Sequence, residues 1–133
     1  MDFALDHLGI AVRSLAQAKS IYEKLGMTVS AEEVVPAEKV RLVMVPVGDT
    51  RLELLEPLSD DSLIAKFIAK RGEGLHHVSL RVPDLTAAVH KLKQEDVRLV
   101  SEEIKTGAGG HRYIFIHPSS AGGVLLELVE SAH

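Results

Sequence analysis

A shift of 70 residues lays one half of this sequence on the other, placing His7 on His77, Val12 on Val82, Leu15 on Leu85 and Ala18 on Ala88. In Asp6-His7-Leu8-Gly9-Ile10-Ala11-Val12, and again in Gly74-Leu75-His76-His77-Val78-Ser79-Leu80-Arg81-Val82, a histidine begins a short run of alternating apolar residues. A helix-start signal follows each run. Such self-similarity means a duplicated structural unit, and each copy carries its own histidine. Histidines in equivalent places on paired units would meet at a pseudo-two-fold centre, where a metal ion could sit.

Alternation puts the first strand at about Leu5 to Val12, with Leu8, Ile10 and Val12 on one face and His7, Gly9 and Ala11 on the other. Ser14 reads as an N-cap with Gln17 in the capping-box position, and Leu15, Ala18, Ile21, Tyr22 and Leu25 recur at helical spacing up to Gly26. Strands are expected at about Thr28 to Val35, Val40 to Val47 and Arg51 to Glu56. A short linking helix, 62–70, carries Ile64, Phe67 and Ile68 on its apolar face, with caps available in Asp60-Asp61-Ser62. The second unit repeats the order: a strand through His77, a helix capped at Asp84 with Leu85, Ala88, Val89 and Leu92 on one stripe, then strands at about Arg98 to Glu102, Tyr113 to His117 and Gly123 to Val129. The expected fold is α+β, two tandem βαβββ units over about 5–58 and 75–130 in a single domain spanning 1–133.

The last strand of each unit matches as well, Arg51-Leu52-Glu53-Leu54-Leu55-Glu56 against Leu125-Leu126-Glu127-Leu128-Val129-Glu130. Glu53 and Glu127 take the same place and point away from their flanking leucines, which would pack on the helices. A carboxylate in the middle of an apolar strand is costly to bury unless it is paired or bound to a metal. A single strand-terminal histidine is ordinarily just a satisfied or exposed side chain. Repetition of His, and then of Glu, favours a metal site. Nitrogen and oxygen donors without thiolates suit Zn, Mn, Co, Ni or Fe(II).

Strand alternation makes His77 the ligand and turns its neighbour His76 toward packing or support. His90 is expected on the exposed helix face, and His133 in solvent. His117 closes a strand beside Pro118. The loop Thr106-Gly107-Ala108-Gly109-Gly110 lacks the Lys-Ser/Thr of a nucleotide-binding loop and reads either as a hairpin connection or as an anion cradle. Lys105, His111 and Arg112 beside it would suit a phosphate-bearing ligand.

Composition removes several classes of function. A net charge of −4 with 15 Lys+Arg in no basic run gives a nucleic-acid partner no electrostatic support. The absence of cysteine removes disulfides and thiolate chemistry and is compatible with a cytoplasmic protein. Neither a signal peptide nor an apolar run of about 18 residues is present, so no membrane association is expected.

Taken together, these motifs resemble the vicinal oxygen chelate superfamily, which includes glyoxalase I, extradiol dioxygenases, fosfomycin-resistance enzymes and bleomycin-binding proteins. Within it the chain is most similar to the methylmalonyl-CoA epimerase family, through Asp6-His7-Leu8-Gly9, Arg51-Leu52-Glu53-Leu54-Leu55-Glu56-Pro57, Gly74-Leu75-His76-His77, Gly107-Ala108-Gly109-Gly110 and His117-Pro118 leading to Gly123-Val124-Leu125-Leu126-Glu127-Leu128. The resemblance implies a glyoxalase-like fold and metal ligation by His7, His77 and Glu127, with Glu53 in the remaining ligand-side position. It also implies a divalent cofactor such as Co, Mn, Zn or Ni, a CoA thioester substrate and a homodimer. Epimerisation at C2 of methylmalonyl-CoA through an enolate calls for acid/base groups on both faces, and Glu53 and Glu127 are the expected pair. Some members of that family carry a glutamate on the third segment of the first unit; Val40-Arg41-Leu42-Val43 has none here, and that base does not carry over. Ser119 likewise stands where a lysine commonly follows His-Pro. The rival readings are another metal-dependent enzyme of the superfamily and a non-catalytic drug-binding module.

Overall fold

The computed structural model describes residues 3–130. They form two compact units, one of residues 7–76 and the other of 77–130 with 3–6. Each runs in the expected order βαβββ.

In the first unit β1 (Ala4–Ala11) pairs in parallel with β4 (Thr50–Pro57), which pairs antiparallel with β3 (Val40–Val47), and β3 with β2 (Glu33–Val35). The helical layer is α1 (Leu15–Ala18) and α2 (Ser20–Lys24), followed after β4 by α3 (Leu63–Arg71). Val12, Leu15, Val43 and Leu54 make the buried core between helix and sheet. In the second unit β5 (Gly74–Val82), whose first residues belong to the first, pairs in parallel with β8 (Leu126–Glu130). β8 pairs antiparallel with β7 (Arg112–Ile116), and β7 with the two-residue β6 (Lys105–Thr106). α4 (Leu85–Gln94) covers this sheet, and Val82, Leu85, Val89, Ile114, Ile116 and Leu128 form the core. Val12, Leu15 and Leu54 in one core are thus matched by Val82, Leu85 and Leu128 in the other.

The duplication reaches into the hydrogen bonds that start and end the helices. Ser14 Oγ accepts from the Gln17 amide, and Asp84 Oδ1 from that of Ala87. The glutamate at the end of each parallel strand accepts the first amide of the helix, Glu56 from Leu15 at 3.1 Å and Glu130 from Leu85 at 3.0 Å. An arginine from the neighbouring strand pairs with each glutamate: Arg41 Nε is 3.0 Å from Glu56 Oε2, and Arg112 Nη1 is 3.1 Å from Glu130 Oε1. At the far end, the Met27 amide donates to Tyr22 and the Val97 amide to Leu92, each across one left-handed residue, Gly26 (φ 86°) and Asp96 (φ 59°).

Four elements differ from the sequence reading. The first helix is not continuous, because Lys19 (ψ −15°) opens a turn between α1 and α2. Its apolar stripe is also narrower: at helical pitch Ile21 lies about 120° around the axis from Leu15, and Ile21 and Leu25 are exposed (56% and 69%). The expected strand from Thr28 shrinks to Glu33–Val35, since Ser30 Oγ takes the Met44 amide at 2.8 Å and competes with the ladder. Between Arg98 and Glu102 only a bridge from Leu99 to Ile116 forms, and the Glu103 amide turns back onto Ser101 Oγ. The last strand begins at Leu126 rather than Gly123, because the Gly123 amide is tied to the carbonyl of Pro118. For the linking helix the cap is Ser62, whose Oγ accepts from the Ala65 amide, while Asp61 pairs with Lys39. Among the described residues, no helix is long and apolar enough to cross a membrane.

Candidate metal centre

The parallel pair in each unit places a histidine and a glutamate on the face away from the helices. In β1 and β4, Gly9 is opposite Glu53 and Ile10 opposite Leu54. Leu54 packs on the helix, so Glu53 projects from the other face, the one shared by Gly9 and His7. His7 Nδ1 lies 3.3 Å from Glu53 Oε2, and Arg51 Nη2 lies 3.5 Å from the same oxygen. Met44 of β3 stands opposite Glu53 on this face.

The second unit repeats the arrangement. Ser79 is opposite Glu127 and Leu80 opposite Leu128, so His77, Ser79 and Glu127 share the face away from α4. His77 Nε2 lies 3.7 Å from Glu127 Oε1. Phe115, opposite Glu127 on β7, meets the His77 ring edge-on with centroids 5.4 Å apart, and Tyr113 packs against Phe115.

All four side chains are buried: His7 at 4% exposure, His77 and Glu53 at 6%, Glu127 at 7%. The donor chemistry fits a divalent ion. Buried carboxylates need compensating positive charge, and imidazole with carboxylate is the set taken by Zn, Mn, Co, Ni or Fe(II). His7, His77 and Glu127 each offer one ligand atom.

The remaining histidines separate as strand and helix geometry requires. His76 points to the opposite side from His77 and packs edge-on against Phe67, with centroids 5.0 Å apart. Burial pushes its pKa down from 6.5 to about 4, which keeps the ring neutral. His90 is exposed on α4. His117 Nδ1 accepts from the Ser119 amide at 3.0 Å and caps the turn at Pro118–Ser120. His133 lies outside the described residues.

The proposed phosphate-binding cluster is altered by the structure. Arg112 lies on the helix side of β7, where its guanidinium meets Glu130 and Thr86 Oγ1. It supports the start of α4 rather than the face that carries Glu127. The glycine loop is a closed turn: the Gly107 amide donates to His111 and the Gly110 amide to Gly107, so neither is left to cradle an anion. A Cβ on Gly107 would meet Tyr113 Cε1 at 2.8 Å, so glycine there admits the tyrosine ring. The sequence reading assigned no role to Glu56 and Glu130 as helix caps or to Arg51 beside Glu53. Repetition of Glu at both strand ends was the available signal for the caps.

Residues 6–115 match the Glyoxalase/Bleomycin resistance protein/Dioxygenase superfamily. The human mitochondrial methylmalonyl-CoA epimerase is 43% identical over 129 residues, covering 96% of this chain and 73% of that protein. The crystal structure of methylmalonyl-CoA epimerase from Mycobacterium tuberculosis superposes with a TM-score of 0.91 at 42% identity, covering 97% of this chain and 88% of that one. A methylmalonyl-CoA epimerase solved in complex with methylmalonyl-CoA and NH4+ superposes with a TM-score of 0.89 at 36% identity, covering 96% and 94% of the two chains. The chain therefore belongs to this superfamily and, within it, to the methylmalonyl-CoA epimerase family.

Proposed function

We propose that this chain interconverts (2R)- and (2S)-methylmalonyl-CoA, with His7, His77 and Glu127 holding a divalent cation and Glu53 kept off the cation as the base. The observation that carries the reading is a buried histidine–glutamate pair in each of two equivalent units, in a chain 43% identical to a methylmalonyl-CoA epimerase. A cation in such a site supplies Lewis-acid stabilisation for negative charge on the thioester oxygen.

The chain's own residues move the proton. The C2 hydrogen lies between a thioester and a carboxylate and is acidic enough for a carboxylate base in a water-poor site. Glu53 takes it, and the C–H electron pair passes to the thioester oxygen to give an enolate. For inversion, Glu127 must enter the step carrying a proton, which it delivers to C2 from the opposite face; the reverse reaction exchanges the two roles, and a proton exchanged with solvent resets the pair. A carboxylate held by a cation is the weaker base and the stronger acid, so in the direction written Glu53 abstracts and Glu127 delivers. Arg51, 3.5 Å from Glu53 Oε2, keeps positive charge beside that carboxylate. The partners in this reading are a CoA thioester and a second copy of the chain, by analogy with other short βαβββ proteins. The compartment is the cytoplasm, which the lack of cysteine suits.

The test is to incubate one C2 isomer of methylmalonyl-CoA with cobalt-loaded protein and follow the isomer ratio. Approach to a mixture of both isomers is expected; a ratio that does not move overturns the proposal.

A further inference from the structure

The two half-sites are not equivalent, and one of the differences is a hydroxyl. Opposite Glu53 in the β1–β4 ladder stands Gly9; opposite Glu127 in the β5–β8 ladder stands Ser79. Ser79 is 0% exposed, and its Oγ has no hydrogen-bond partner among the described residues. A buried hydroxyl without a partner is unfavourable in any folded protein and calls for a partner in the functional state. Residues paired across a parallel ladder share a face, and Ser79 shares the face of His77 as well as that of Glu127. A serine hydroxyl turns about a single bond to donate, and an ionised carboxylate is an acceptor only.

We propose that Ser79 is a positioning residue: its hydroxyl donates to the Glu127 carboxylate when a cation is bound and holds it as a ligand, while Glu53, opposite Gly9, has Arg51 beside it instead. The inference rests on the metal-binding reading above and assigns separate roles to the two glutamates. Carboxylates that ligate metals are themselves held by hydrogen bonds, and losing such a partner weakens metal affinity about 10- to 100-fold.

The experiment is a cobalt(II) titration of the wild-type protein and of Ser79→Ala by equilibrium dialysis, with the visible absorption of bound cobalt recorded for both. The inference expects Ser79→Ala to bind cobalt about 10- to 100-fold more weakly with a shifted visible spectrum. Its metal-free unfolding midpoint should be equal to or above that of the wild type, since an unpartnered hydroxyl has been removed. A purely structural serine would lower that midpoint and leave the spectrum unchanged. Wild-type protein that binds cobalt while Ser79→Ala matches it in affinity and spectrum overturns this inference alone. Wild-type protein that binds no cobalt overturns the metal reading and this inference together.

Discussion

His7 Nδ1 lies 3.3 Å from Glu53 Oε2, and both side chains are buried. The contact gives an otherwise costly carboxylate a polar neighbour in the sheet, and it leaves the imidazole fixed by strand geometry rather than by solvent. Its counterpart, His77 with Glu127 at 3.7 Å, uses the other ring nitrogen. The two units therefore present matching donor types in non-identical orientations.

The metal assignment has a direct consequence. A His7→Ala/His77→Ala double variant should lose bound cation on dialysis, while the wild type keeps a stoichiometric amount, as measured by elemental analysis. Stoichiometric metal in the double variant would refute the ligand set.

Helix starts in this fold depend on two strand-terminal glutamates. Glu130→Ala removes the acceptor for the Leu85 amide and leaves Arg112 without its carboxylate. Hydrogen bonds to charged groups contribute about 1.5–3 kcal/mol, so the variant should unfold in urea with a stability lowered by about 1–3 kcal/mol. Glu56→Ala should behave alike, through Leu15 and Arg41. Losses below about 0.5 kcal/mol, the range of ordinary surface changes, would show that the caps are not needed.

Acid should weaken the protein through His76. Burial depresses its pKa from 6.5 to about 4 in the folded chain. Above pH 6.5 the ring is neutral in both states, and no difference arises. As pH falls from 6.5 toward 4, the unfolded chain binds a proton that the folded chain does not, so stability falls across that window. His76→Phe keeps a ring against Phe67 and removes the titration, and its urea midpoint should fall less between pH 7 and pH 5 than that of the wild type. Equal slopes would assign the acid sensitivity to other groups.

Much of this architecture was legible because duplication and period carried it. The shift that laid His7 on His77 also laid Leu15 on Leu85, and these side chains sit in the two cores. Strand alternation separated His77 from His76, and the leucines around Glu53 and Glu127 fixed which way the glutamates point. Short-range competition was less visible. Nothing in the apolar run from Thr28 told that Ser30 Oγ would take the Met44 amide, or that Ser101 would turn the chain before a strand could form. Arg112 leaves the expected loop cluster for another reason: it sits beside His111 in sequence, but strand alternation turns it toward Glu130 and α4. Ser79 carried no signal by itself, because its meaning depends on being paired with Glu127 where Gly9 is paired with Glu53.

The central claim is that Glu53 removes the C2 proton of methylmalonyl-CoA. Proton NMR of each C2 isomer of methylmalonyl-CoA separately in deuterated water, with metal-loaded protein, reports that step as loss of the C2–H signal from the isomer whose proton faces Glu53. The wild type should wash the signal out, and Glu53→Gln should slow the exchange by about 10²- to 10⁴-fold, the contribution of a positioned base, while unfolding like the wild type. Exchange at the wild-type rate in Glu53→Gln would contradict the account.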